Sequence, residues 1–243
     1  MDPDQSLLAL LDAADRAPGA ARLRQRSYAL LRCTAGARVV DVGCGGGVAV
    51  AELVGRGVTA VGLDRDPRLV AAARLRHPSC EFHVAGADAL PFPDASLDGL
   101  RADRLLQLST DPARSLGEAR RVLAPGGRVV LTGQDWDLLT IDSRDTALTR
   151  TLLRAHPDRV PNPQAVRTYR NLLSEAGFDH ITVEVHTAVH TVVEARPLAT
   201  GSTQTTHDAG PGAWAPEQEA GGERDRFFPA VPIFVVAGSR RRP

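Results

Sequence analysis

The chain has 243 residues, with 29 acidic residues balanced by 29 arginines and no lysine at all, so its formal net charge at neutral pH is zero. That length suits one substantial α/β domain with a small appendage, and the neutral balance offers no global attraction for nucleic acid or an anionic membrane. Cys33, Cys44 and Cys80 lack metal or redox spacing and are odd in number, and no apolar run approaches the ~18 residues of a membrane span. The start, Met-Asp-Pro-Asp, has no basic stretch of the kind that opens a signal peptide, so a cytoplasmic protein is expected. All-arginine positive charge with many Ala, Gly and Pro reads as a high-GC coding bias.

Residues 4 to 32 place leucines at roughly helical spacing on either side of Pro18-Gly19, which predicts two short helices. Arg38 to Gly47 follows, Arg-Val-Val-Asp-Val-Gly-Cys-Gly-Gly-Gly. The β-branched residues around Asp41 read as a strand covered on both faces. The chain then breaks into four glycines within five positions, and helix-permissive residues resume over Val48 to Val54. Glycine at a strand-to-helix turn tolerates positive φ and lets a ligand approach bare backbone. A dinucleotide fingerprint requires Gly or Ala at the sixth position counted from Gly43, but Val48 stands there. Asp-x-Gly-x-Gly-x-Gly, with Asp41 two residues before Gly43 and then Gly45, resembles motif I of the class I S-adenosylmethionine-dependent methyltransferases.

That resemblance implies that the N-terminal helices lie over the cofactor and part of the acceptor pocket. Tyr28 then either meets the cofactor's amino-acid end or simply packs on the sheet. Val58 to Leu63 is a second apolar strand, ending in Asp64, 23 residues after Asp41. A carboxylate at a strand's C-terminal end can accept both hydroxyl hydrogens of a ribose; the alternative is a solvated acid or helix cap. Arg65 holds the position where the family lays a side chain against the adenine. Asp66 and Pro67 then start a helix as N-cap and first helical residue.

Strand three, Glu81 to Ala85, leads into Gly-Ala-Asp-Ala-Leu-Pro-Phe, which resembles a family stretch in which the acid, here Asp88, accepts from the adenine amino group and the next amide, here that of Ala89, approaches the ring. Strand four is expected at Ser96 to Leu100, emptying into Arg101 to Gln107 at the cofactor's mouth. Many relatives carry His near Gln107, a departure here. Arg101 either holds the methionine carboxylate by a charge-assisted bond or pairs with Asp98 or Asp103 at the surface. A helix from Asp111-Pro112 to Leu123, the turn Ala-Pro-Gly-Gly and strand five, Arg128 to Thr132, complete a resemblance that spans residues 38 to 133.

Beyond it, Trp136 and Asp135 border the expected acceptor site, for stacking and proton acceptance or for packing and capping. Helices are expected over about 144 to 154 and 164 to 176. Ile181 to Val193 is a strand whose polar face carries His186 and His190, ~13 Å apart at ~3.3 Å per residue. Residues 200 to 226 are poor in apolar residues and read as mobile or as a cap ordered by substrate, and a last strand runs over Val231 to Ala237.

The expected fold is an α/β, Rossmann-like three-layer sandwich with a seven-stranded, mostly parallel sheet, an antiparallel last strand and an N-terminal helical cap. It forms one domain, 1–243, divided into the cap (1–32), a cofactor-binding half (33–133) and an acceptor-side half (134–243). The resemblance implies S-adenosyl-L-methionine as cofactor, held by Asp41, Gly43, Gly45, Asp64, Arg65, Asp88, Ala89 and Arg101. It further implies methyl transfer to a small organic acceptor; from the neutral charge, the lack of metal-ligand spacing and the lack of a long apolar run, no metal, nucleic-acid or membrane partner is expected. The base-flipping Pro-Pro-aromatic and Pro-Cys motifs are absent. Candidate bases are Asp135, Asp103, His156 and His186, with no choice among them. The competing readings are a fold that binds the cofactor without transferring methyl, and a nicotinamide oxidoreductase, whose commonest Tyr-x-x-x-Lys site is impossible without lysine. Acceptor identity and oligomeric state are not fixed.

Overall fold

The computed structural model describes residues 3–17, 19–138, 140–141, 162–189 and 229–242. The helix expected at 144–154, His156, His190 and the segment 200–226 lie outside these residues. Two helices open the chain, α1 (Pro3–Arg16) and α2 (Ala20–Leu31). Five parallel strands follow: β1 (Arg38–Val42), β2 (Thr59–Asp64), β3 (Glu81–Val84), β4 (Leu97–Asp103) and β5 (Leu123–Gln134). Between them run α3 (Val48–Val54), α4 (Pro67–Arg76) and α5 (Pro112–Val122). After a two-residue pairing at β6 (Thr140–Ile141) come α6 (Tyr169–Glu175), β7 (Phe178–Val189) and β8 (Pro229–Arg240).

The sheet order is β3-β2-β1-β4-β5-β8, with β6 also on β8 past the end of β5 and β7 on β8's far side. The last strand runs antiparallel to both β5 and β7. This is the expected sheet of seven long strands, with β6 as a small addition. Alternate residues of each central strand enter two separate cores, because side chains on a pleated strand point to opposite faces. Val39, Val130 and Val235 pack with Tyr28 and Leu31 of α2 and with α3 and α4. Val40, Val129 and Val236 pack with Leu116 of α5 and Leu173 of α6. Each fully buried Val or Leu contributes roughly 1.5–3 kcal/mol against leaving it exposed, so β-branched strands with no polar face are what such a three-layer sandwich requires.

Several boundaries differ from expectation for physical reasons. Asp66 does cap α4, its carboxylate accepting from the Arg68 amide with Pro67 next in line. β4 extends three residues past Leu100, because Arg101 pairs in register with Asp41 and the two charges satisfy each other inside the sheet. β5 begins at Leu123, beside Leu97, and the Pro-Gly-Gly turn is absorbed as an irregularity with Gly126 at φ +85°. The expected helix at 164–176 starts as a 3₁₀ turn, Ala165–Thr168, before α6.

Candidate functional site

The glycine loop leaves β1 at the carboxyl edge of the sheet. The amides of Gly43 and Cys44 both donate to the Leu63 carbonyl of β2, at 2.7 and 2.9 Å. This ties the loop to the neighbouring strand. Gly45 and Gly47 have φ +52° and +84°, conformations that cost other residues about 1–2 kcal/mol. The two glycines serve different ends. A Cβ on Gly47 would meet the Phe82 ring at 2.7 Å, so that glycine is fixed by packing. A Cβ on Gly45 would meet only the end of Leu11, at 3.4 Å, so the backbone there is bare for another reason.

Asp64, at the end of β2, is 9% exposed. Its two oxygens accept from the Gly45 amide and the Asp66 amide, each at 3.0 Å. Every carboxylate oxygen has a further lone pair, so the group stays able to accept two more hydrogens while it braces the loop. Arg65 beside it is exposed. Asp88 and Ala89 are exposed in the loop after β3. α5 holds that loop: Glu118 accepts from the Leu90 amide at 2.8 Å, and Arg121 donates to the carbonyls of Leu90 and Phe92. α1 crosses above the glycines. Asp12 pairs with Arg76 of α4 at 2.6 Å, and a Cβ on Gly46 would meet that guanidinium at 3.0 Å.

Behind the loop lies a buried charge network. Arg101, 3% exposed, donates to Ser27 Oγ at 2.9 Å, to Asp41 at 2.7 Å and to Asp103 at 2.9 Å. It pairs with Asp103, as one of the two readings had it, but in the interior rather than at the surface, and it is not open at the cofactor's mouth. Burial pushes the Asp41 carboxyl up against the pull of Arg101. Burial also acts on Asp103, yet Arg104, Arg101 and the Thr132 hydroxyl outweigh it and hold that carboxyl below the ordinary range. Tyr28 is core: 5% exposed, its hydroxyl donating to Glu52 at 2.9 Å, its ring under the Arg56 guanidinium. Glu52 also binds Arg24, which pairs with Asp15 of α1.

The acceptor-side candidates are not brought together. Asp135 is 1% exposed and bound by Arg167, whose Nη2 donates at 2.9 Å, and it also accepts from the Asp137 amide. His186 sits out on β7 beside Glu184, itself paired with Arg26. Sequence reasoning missed the Asp41–Arg101 lock and the α1 bridges. The first had a signal: a lone acid within a fully apolar central strand has to meet a cation on the strand beside it. Among the described residues no group of three His, Cys, Asp or Glu side chains is arranged to hold a metal, and no helix is long and apolar enough to cross a membrane.

Residues 40–131 match the family model described as a methyltransferase domain. An uncharacterized 37.1 kDa protein in transposon TN4556 of Streptomyces fradiae is 33% identical over 93% of this chain and 64% of its own length. The demethylmenaquinone methyltransferase of Renibacterium salmoninarum is 32% identical over 50% of this chain and 51% of its own. The chain thus spans roughly half to just under two thirds of these curated relatives. Among solved structures, Haemonchus contortus phosphoethanolamine N-methyltransferase 2 in complex with S-adenosyl-L-methionine covers 98% of this chain and 57% of its own with a TM-score of 0.67, at 17% identity.

Proposed function

We propose that the chain, whose residues 40–131 match a methyltransferase-domain model, is a class I S-adenosylmethionine-dependent methyltransferase that moves the methyl group of S-adenosyl-L-methionine to a small organic acceptor in bacterial specialised metabolism. The observation that carries this reading is Asp64: a carboxylate at the end of β2, bonded to the Gly45 amide, with a bare glycine backbone in front of it. Those features fit a ribose held between acid and loop. Asp64 accepts the ribose hydroxyls, Gly43 and Gly45 admit the cofactor to the backbone, Arg65 covers the adenine, and Asp88 with the Ala89 amide reads its edge. Asp41, buried behind the loop and bonded to Arg101, braces the turn and does not itself touch the cofactor. Arg101 acts behind Asp41 as a positioning residue and does not itself touch the carboxylate.

The bound cofactor supplies an electrophilic methyl on a sulfonium: the carbon–sulfur bond breaks with its electron pair going to sulfur, while a lone pair of the acceptor forms the new bond. The protein's part is alignment and the exclusion of water. Of the candidate bases, Asp103 and Asp135 are each held by arginine. Zero net charge supports a small acceptor rather than nucleic acid or an anionic lipid surface.

Calorimetry with S-adenosyl-L-methionine and with NAD tests the reading, using wild type and Asp64→Ala. We expect S-adenosyl-L-methionine binding weakened tenfold or more in the variant, and no NAD binding. NAD binding in its place, or neither, overturns it.

A further inference from the structure

The glycine loop has an inner and an outer side. The sheet occupies the inner side, since the Gly43 and Cys44 amides donate to the Leu63 carbonyl and the Gly45 amide to Asp64. A ligand drawn to the bare backbone therefore arrives from outside, where α1 lies. Leu8, Leu11, Asp12 and Asp15, at i, i+3, i+4 and i+7, share one face of that helix. The ends of Leu11 and Leu8 stand 3.4 and 4.0 Å from where a Cβ on Gly45 and on Gly46 would be. Asp12 takes a forked bond from Arg76 of α4, at 2.6 and 2.8 Å, and that guanidinium also lies over Gly46. Arg24 of α2 donates to the Asp15 carbonyl at 3.1 Å and reaches its carboxylate at 3.5 Å. α1 is thus tied across the loop from two directions.

Those ties are what hold it. Among the described residues neither hydrophobic core of the sheet includes a side chain of α1, whereas α2 contributes Tyr28, Leu30 and Leu31. α1 can therefore lift without opening a core, and segments held in this way open first. The Arg76 guanidinium holds the Asp12 carboxyl below its ordinary range, so the pair stays charged at neutral pH. Leu11 and a cofactor on Gly45 claim one space. A site that is open only part of the time binds more weakly in proportion to its open fraction. We propose that α1 is an autoinhibitory strap: Leu11 fills the cofactor's place over Gly45, the Asp12–Arg76 pair holds it there, and cofactor enters when α1 lifts. This rests on the methyltransferase reading and adds to it the regulation of the same site. A lid that closes over bound cofactor would respond with the opposite sign.

The test brings S-adenosylhomocysteine, which carries no net charge, to the full chain, with affinity from calorimetry and rates from surface plasmon resonance. Arg76→Gln and Asp12→Asn should each bind it about threefold tighter and faster, the scale of a part-exposed ion pair. The swapped pair, Asp12→Arg with Arg76→Asp, should return both quantities to their wild-type values. Leu11→Ala, which empties the place over Gly45 with the ties intact, should tighten binding at least as much. Added sodium chloride should speed association to wild type, because it screens the pair, and leave Arg76→Gln unmoved. Hydrogen exchange supplies the second readout. α1 amides should exchange faster in Arg76→Gln, and faster in wild type once ligand is bound, while α2 and the melting temperature stay unchanged. Weaker binding in the variants, or slower α1 exchange with ligand, makes α1 a closing lid and overturns the strap. If neither wild type nor Leu11→Ala takes S-adenosylhomocysteine, the methyltransferase reading falls and the strap with it. A wild type that binds, beside variants that bind no better, sinks the strap alone.

Discussion

The two ends of the site are built on opposite plans. At β1, β2 and β3 the ligand-facing groups are backbone, glycine and acids left open: Asp64 bonded only to amides, Asp88 exposed in its loop. At the carboxyl ends of β4 and β5 the acids Asp103, Asp135 and Asp137 are each sealed by an arginine. The cofactor end therefore has its polarity fixed by chain geometry, which any sequence with the same turns reproduces. The acceptor end has its polarity fixed by side-chain pairing across elements far apart in the chain. A cofactor shared by a whole family suits the first plan, and an acceptor particular to one protein suits the second.

Breaking the charge network should have the largest effect. Arg101→Met leaves Asp41 uncompensated at 1% exposure, and removing one partner of a buried pair costs about 3–5 kcal/mol. Urea unfolding should show that loss. The double variant Asp41→Leu with Arg101→Met should recover most of it, since well-packed apolar replacements of buried pairs are often neutral. A loss under 1 kcal/mol in the single variant would mean that the network is wetter and looser than its geometry, and the contrast between the two ends would fall with it.

The glycines sharpen the comparison from the other end. Gly47→Ala forces a Cβ to 2.7 Å from Phe82 at φ +84°, and overpacking with backbone strain together cost about 2–4 kcal/mol. Gly45→Ala meets only ordinary contact and should cost about 1 kcal/mol of stability, yet lower S-adenosyl-L-methionine affinity more than tenfold by closing the bare backbone. Equal effects of the two on binding would show that Gly45, too, is a packing glycine.

This difference also sets what could be read from the chain alone. The single strands, the glycine turn, Asp66 as cap and the acids at the ends of β1 and β2 are local patterns, each complete within about ten residues, and the sequence shows them. Local patterning ends the fourth strand at Leu100, which puts Arg101 at the mouth. What carries the strand on to Asp103 is a partner sixty residues away, Asp41, which no local pattern reports. Gln107 and Tyr169 are separated in the chain by α5 and β5, and the approach of the Tyr169 hydroxyl to the Gln107 backbone depends on α6 packing back under β5. Asp135 looked available for the same reason: its arginine comes thirty-two residues later.

A smaller effect follows from acid. The Asp103 carboxyl is held below its ordinary value by Arg104, Arg101 and Thr132 against its burial. A carboxylate whose folded value is depressed stabilises the protein above the unfolded value, near ~3.9, and that stabilisation is lost as pH falls from there through the folded value. Stability measured from pH 5 downward should decline, and Asp103→Asn should flatten that decline while leaving the Asp64 site able to bind cofactor. An unchanged acid limb in the variant would place the titrating group elsewhere.

The smallest predicted effect is a control that belongs to neither end. Asp111 caps α5, accepting from the Arg114 amide at 2.9 Å, with Pro112 as the first helical residue. Asp111→Ala removes one satisfied amide at the helix start and should cost about 1 kcal/mol, read as a lower urea midpoint with an unchanged slope. α5 also carries Glu118 and Arg121, which hold the Asp88 loop, but from its second and third turns, beyond the reach of first-turn fraying. S-adenosyl-L-methionine affinity should therefore stay at the wild-type value. If it falls instead, the adenine loop depends on the whole helix, and the cofactor end is no more local in its construction than the acceptor end.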